Sequence, residues 1–176
     1  QRVGFLEARR HQAARTVVLE GPAHQVDAVG QQRRGDRVAA QAAMAARGVP
    51  GMEDDPRFWA SGISLVAHMR NPHAPAVHMN TRMFWTPGAW WFGGGSDLNP
   101  CIEYAEDTRH FHDTLRAACL PHGSDYYDRF KAWADEYFFI PHRGRARGVG
   151  GIFYDDLNTG GWAADFAFTK AVGEAF

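Results

Sequence analysis

Two stretches near the middle of the chain alternate apolar and polar side chains with a period of two. In residues 61–68, SGISLVAH, Ile63, Leu65 and Ala67 take one face and Ser64, Val66 and His68 the other, which predicts a strand. Residues 69–75, MRNPHAP, carry two prolines and an Asn-Pro step and read as a loop. Residues 76–85, AVHMNTRMFW, alternate again, with Val77, Met79, Thr81 and Met83 on one face and His78, Asn80, Arg82 and Phe84 on the opposite one. Pairing as an antiparallel hairpin brings His68 and His78 to the same sheet face beside the connecting loop. That face then carries an imidazole pair, an amide, a guanidinium and a hydroxyl.

A third strand, residues 89–92, runs into Gly93-Gly94-Gly95. Beyond it the spacing turns helical. Residues 103–119 predict a helix that buries Phe111, Leu115 and Ala118, with His112 and Arg116, four residues apart, sharing a neighbouring face. A second helix starts at Ser124 as N-cap, runs through Tyr127, Phe130 and Trp133 to Tyr137, and is stopped by Pro141, which leaves His142 and Arg143 outside it. Residues 148–156, GVGGIFYDD, predict a glycine-softened strand ending in paired acids, and residues 162–176 a last helix. The fold class is α+β, with antiparallel strands first and helices after.

Composition divides this chain in two. Of its 23 aromatic residues, Phe5 is the only one before residue 51. Residues 1–50 hold eight Arg, no Lys and four acids, a net of +4, whereas residues 51–176 hold 11 basic and 16 acidic residues, a net of -5. Aromatics supply much of a core's buried area, so residues 1–50 are expected to form a weakly packed arm, helical by propensity around 41–47, and residues 51–176 the folded domain. The near-neutral total of -1 argues against a nucleic-acid or membrane-surface partner. No apolar run approaches the ~20 residues of a membrane span, and no secretory leader is visible. Cys101 and Cys119 make no disulfide framework and read as buried thiols. The expectation is a soluble, cytoplasmic protein.

Nine histidines, seven of them after residue 50, are the most reactive feature of the composition. Imidazole binds metals when neutral and moves protons near neutral pH. A cluster of His68, His78, His112 and His142 is chemically plausible, although its spacing matches no short metal signature such as HExxH. Arg82 suits a carboxylate, which its planar fork holds bidentately; the competing reading is an internal ion pair with Asp155 or Asp156. Those two acids point to opposite faces of a strand and make a poor acid–base pair. The triple glycine lacks the Gly-Lys-Ser/Thr ending of a phosphate loop and instead allows positive backbone angles or close approach of a ligand. The run Trp90-Trp91-Phe92 reads as core. From the residues alone, the reading is a polar, histidine-rich pocket suited to a carboxylated ligand.

Five segments together, SGISLVAH, RNPHAPAVHMNTR, WWFGGGSDLNP, EDTRHFHDTLRAAC and DEYFFIPHRGRARGVGGIFYDDLNT, resemble the oxygen-dependent coproporphyrinogen III oxidases of haem biosynthesis, continuously from about Gly51 to Phe176. The resemblance implies a broad antiparallel sheet flanked by helices on both sides and a homodimer. It also implies conversion of two propionates of coproporphyrinogen III to vinyl groups, giving protoporphyrinogen IX. Molecular oxygen is the co-substrate, carbon dioxide and hydrogen peroxide are released, and no flavin, haem or nicotinamide is expected. By the same resemblance His78 is the proton donor, Ser64, Asn80, Thr81 and Arg82 contact substrate, and His68, His78, His112 and His142 are ligands of a divalent metal cation in bacterial members. Family members continue into a C-terminal part, so the expectation is an incomplete domain. Two rival expectations are an inactive tetrapyrrole-binding fragment and a histidine-metal enzyme of another class.

Overall fold

A computed structural model describes residues 15–19, 42, 45, 46, 48–50, 55 and 57–176, the first five as backbone only. Five strands form one antiparallel sheet in the order β1 (Arg15–Leu19), β2 (Trp59–His68), β3 (Ala76–Thr86), β4 (Ala89–Asn99) and β7 (Gly151–Leu157). Helices α1 (Ala105–Cys119), α2 (Tyr126–Tyr137) and α3 (Trp162–Ala175) complete the α+β fold. A small hairpin of β5 (Phe139–Ile140) and β6 (Arg145–Ala146) brackets a short 3-10 turn at Pro141–Arg143. β1 pairs with β2, a strand inside the segment that composition set apart. Most of residues 1–50, including most of the helix expected at 41–47, lies outside the described residues.

The alternation of β2 and β3 becomes register directly. Ser64 pairs with Asn80, Gly62 with Arg82 and Val66 with His78, so these positions share one face. The face predicted to be polar is therefore formed, and His68 sits one same-face step beyond the residue opposite His78. The opposite face carries Thr81 and Met83 on β3, Phe92 and Ser96 on β4, and Ile152 and Tyr154 on β7, all in register. Against it pack Leu115 and Cys119 of α1, Tyr127 and Phe130 of α2, and Phe168 and Val172 of α3, in one buried cluster. Phe130, Tyr154 and Phe168 form a ring triangle with centroids 5.0–5.5 Å apart, so the aromatic residues concentrated after residue 50 supply the core. α2 follows the β7 edge and reaches both faces, because Phe130 meets Tyr154 on one side while Tyr137 stacks on Phe153 at 4.0 Å on the other.

Several boundaries differ from the sequence expectation. β4 does not stop at Phe92 but runs through the three glycines to Asn99, with ordinary backbone angles at all three. The glycines serve close packing: a Cβ at Gly94 would meet the Tyr154 hydroxyl at 2.7 Å, and one at Gly93 would meet Arg82 Nε at 2.6 Å and Asp155 Oδ1 at 2.7 Å. α1 starts at Ala105 rather than 103, with Tyr104 extended. α2 starts at Tyr126 with Asp125 rather than Ser124 in the cap position, because the Tyr126 amide is spent on a turn to the Gly123 carbonyl. Of the Trp90-Trp91-Phe92 run, only Phe92 is fully in the core. Cys119 is buried, which pushes its thiol up to about 12, but Cys101 is exposed because it lies in the turn after β4.

The packing predicts two substitutions of opposite sign. A Cβ at Gly151 would lie 1.8 Å from the Ser96 carbonyl oxygen on β4, so Gly151→Ala should lower stability by more than about 3 kcal/mol. Gly173 lies in α3 and its Cβ would make an ordinary 3.6 Å contact with Thr81 Cγ2, so Gly173→Ala should raise stability by about 0.5–1 kcal/mol. Chemical denaturation of the two variants checks both signs.

Candidate active site on the polar sheet face

The polar face centres on one carboxylate. Continuing β4 past Gly95 places Asp97 opposite His78, on the same face as Gly93 and Gly95. Asp97 is fully buried, at 0% exposure, and a charge in that position is tolerated only with several donors around it. It has four donated bonds: His78 Nδ1 to Oδ1 at 2.7 Å, Asn99 Nδ2 to Oδ2 at 2.7 Å, and Arg147 Nε and Nη2 to Oδ2 and Oδ1, both at 2.9 Å. Burial works strongly to raise the carboxyl's pKa, but the bonds from His78, Arg147 and Asn99 together outweigh it and hold Asp97 below the usual carboxylate range. An ionised carboxylate only accepts, so His78 carries its proton on Nδ1. Its Nε2 has no hydrogen-bond partner among the described residues and is free to exchange a proton with a ligand.

Arg82 stands further along β3 on the same face. Its Nη2 lies 3.0 Å from Asp155 Oδ2, its Nη1 donates to Asn80 Oδ1 at 3.3 Å, and its Cζ sits 5.6 Å from the centroid of the Phe153 ring. The ion pair with Asp155 anticipated as a competing reading is thus present, and the side chain is nevertheless 40% exposed. Asp155 therefore orients the guanidinium without enclosing it. Asp156 turns away at a φ of +52° and donates its amide to Asp155 Oδ1 at 3.0 Å. On the other side of Arg82, Phe58, Phe84 and Trp91 form a continuous stack with centroids 5.5 and 4.7 Å apart. A cavity of about 580 Å³ lies at β2 and β3, lined by Gly62, Ser64, Asn80 and Arg82 of this face and also by Ile63 and Thr81 of the other. That volume is in the range of roughly 300–1,000 Å³ typical of small-molecule sites.

Of the residues singled out from the sequence, Ser64, His78, Asn80 and Arg82 share this face. Thr81 does not, because alternation sends its side chain to the helical side, where it faces Gly173. His68 is exposed at the end of β2, and His142 is exposed in the 3-10 turn. His112 is bonded between α2 and the loop before β7: Nε2 lies 3.0 Å from the Val149 carbonyl oxygen and Nδ1 2.9 Å from the Tyr127 hydroxyl. Among the described residues no three His, Cys, Asp or Glu side chains come together to hold a metal ion. The four histidines are thus not gathered into one cation site in this structure, and both ring nitrogens of His112 are engaged in hydrogen bonds. Sequence reasoning missed Asp97 and Arg147. Extending the alternation through the glycines finds Asp97, whereas nothing local marks Arg147, which is 50 residues further on.

The lowered pKa of Asp97 carries a sign for stability. Its ionised form contributes stability above the ordinary carboxylate value of 3.8, and that contribution is lost as pH falls below it through the lower folded value. Asp97→Asn should reduce stability at pH 7 by about 2–3 kcal/mol. It should also flatten the loss of stability on acidification below about pH 4. Urea melts of both proteins across that range test this; parallel acid limbs would show that Asp97 is not the ionised centre.

A family profile described as Coproporphyrinogen III oxidase matches residues 12–176. It takes in every strand and helix named above, and it begins well ahead of the boundary drawn from composition at residue 51. No described helix is long and apolar enough to cross a membrane. With the match covering almost the entire sequence, and the quoted motifs lying on the polar face, on β7 and on α1, the chain belongs to the coproporphyrinogen III oxidase family.

Proposed function

We propose that this polar face carries out the oxygen-dependent oxidative decarboxylation of coproporphyrinogen III. Family membership ties the chain to haem biosynthesis and to a porphyrinogen substrate; the oxidant and the residue roles are the present reading. The observation that carries it is the buried Asp97 holding His78 in one tautomer on the same sheet face as the half-exposed Arg82. For each propionate, R–CH2–CH2–COOH and O2 give R–CH=CH2, CO2 and H2O2. The carboxyl carbon leaves as CO2, one C–H bond breaks at the ring-attached side-chain carbon, and two electrons and two protons pass to oxygen.

The chain's residues supply placement and proton handling. Arg82, with Asn80 and Ser64 beside it, binds a propionate carboxylate through its exposed guanidinium edge. The Phe58–Phe84–Trp91 stack gives a pyrrole ring a flat apolar wall. His78 Nε2 accepts and returns the proton, and Asp97 stabilises the imidazolium that forms in between. Holding an electron-rich substrate in one orientation converts a collision with oxygen into a directed reaction. No step is assigned to a metal.

Aerobic turnover of coproporphyrinogen III, read as porphyrin fluorescence after oxidation, tests the reading. His78→Ala should lower kcat by at least about 100-fold. Arg82→Ala should raise KM by at least about tenfold. Replacing oxygen with argon should stop the reaction. Full turnover by His78→Ala would remove His78 from the mechanism, and turnover under argon would remove oxygen. Tight porphyrin binding without turnover would favour a binding fragment instead.

A further inference from the structure

His112 has both ring nitrogens hydrogen-bonded, Nε2 to a carbonyl and Nδ1 to a hydroxyl. The Val149 carbonyl can only accept, so Nε2 carries the proton and donates to it. Nδ1 is then the acceptor, and the Tyr127 hydroxyl donates to it. In this tautomer neither nitrogen has a lone pair left for a cation. Tyr127 is itself buried, and the Arg116 guanidinium covers its ring at 4.2 Å, so the hydroxyl is held in place.

Val149 belongs to the loop that delivers Arg147. The Val149 amide donates to the Leu98 carbonyl at 3.0 Å, the Leu98 amide donates to the Gly150 carbonyl at 3.2 Å, and the Arg147 amide donates to the Phe138 carbonyl at 2.9 Å. Gly148 makes this close docking feasible, since it has a φ of +57° and its Cβ would lie 2.1 Å from the Leu98 carbonyl oxygen. Leu98 is the neighbour of Asp97 on β4, and Arg147 spans the gap to Asp97 with two 2.9 Å bonds. Hydrogen bonds thus tie His112 to Val149 and Arg147 to Asp97 and so to His78 Nδ1, with the main chain through Gly148 joining the two halves.

We propose that His112 is a positioning residue for His78 and not a metal ligand. It fixes the Val149 carbonyl, which keeps Arg147 on Asp97 and so sets the orientation of the His78 ring. This deepens the proposed function and rests on it for the role of His78, so the test needs one readout that does not depend on turnover. That readout is the Nδ1–H proton of His78, which its short bond to a carboxylate should shift downfield in the NMR spectrum of the full chain; His78→Ala assigns it.

His112→Gln retains an N–H donor near the position of Nε2, whereas His112→Ala retains none. His112→Gln should keep the His78 resonance and turn over within about threefold of wild type. His112→Ala should broaden or shift the resonance and lower kcat at least about tenfold, with KM changed less than about twofold. Tyr127→Phe, which leaves the imidazole in place, should shift the resonance in the same sense by a smaller amount. It serves if His112→Ala does not fold. Loss of thermal stability in His112→Ala with the His78 resonance and kcat intact would overturn the proposal in favour of simple packing. Equal loss of activity in His112→Gln and His112→Ala, together with stoichiometric binding of added manganese or zinc by wild type alone, would overturn it in favour of a ligand role. If wild type itself lacks turnover the functional reading fails, and the resonance still decides whether His112 positions His78.

Discussion

A carboxylate taken wholly out of water destabilises a fold unless nearly every lone pair finds a donor. Asp97 meets that condition with four donated bonds from three elements: His78 on β3, Asn99 at the end of β4, and Arg147 from the loop before β7. Losing any one donor would leave a buried charge partly uncompensated, so the three elements are constrained together. The requirement reaches outward: Arg147 is in range only if its loop docks on Leu98, and the loop docks only with glycine at 148. The site and the β4–β7 half of the sheet are thus held by the same set of bonds.

The sheet keeps its apolar and chemical functions on opposite faces. Large side chains fill one face and pack on three helices, while the other combines bare glycines with a few long polar residues. Gly93 leaves space for the Arg82–Asp155 pair, and Gly94 leaves space for the Tyr154 ring on the core side. A tract read from the sequence as allowing positive backbone angles or close approach of a ligand is instead among the most closely packed parts of the fold, with residues 92–98 buried without a break. Such close packing suits the proposed role of holding a substrate in one orientation, because a misplacement of about 1 Å can cost on the order of 100-fold in rate.

Much of this was legible from residue order. A period of two in β2 and β3 has only one arrangement that buries the apolar set, so the company of Ser64, His78, Asn80 and Arg82 on one face followed from alternation. The first two helices followed from the positions of Leu115 and Phe130, even where a start or cap shifted by one or two residues, and the last begins at 162 as expected. The same alternation already put the Thr81 side chain on the opposite face. Where composition was the guide, it was weaker: β1 lies in an arginine-rich stretch whose single aromatic residue is Phe5, and main-chain pairing with β2 needs no aromatic side chain.

The sequence by itself determined which side chains share a face, because backbone geometry repeats every two or 3.6 residues regardless of what packs around it. Only the tertiary structure decided which faces meet. It brought Arg147 to Asp97 across 50 positions, separated His112 from His78 despite their common chemistry, and gave Arg82 an acidic partner that still leaves its edge open. These contacts depend on loop docking and on the compensation of a buried charge. Such energies depend on position in three dimensions and leave no period in the chain.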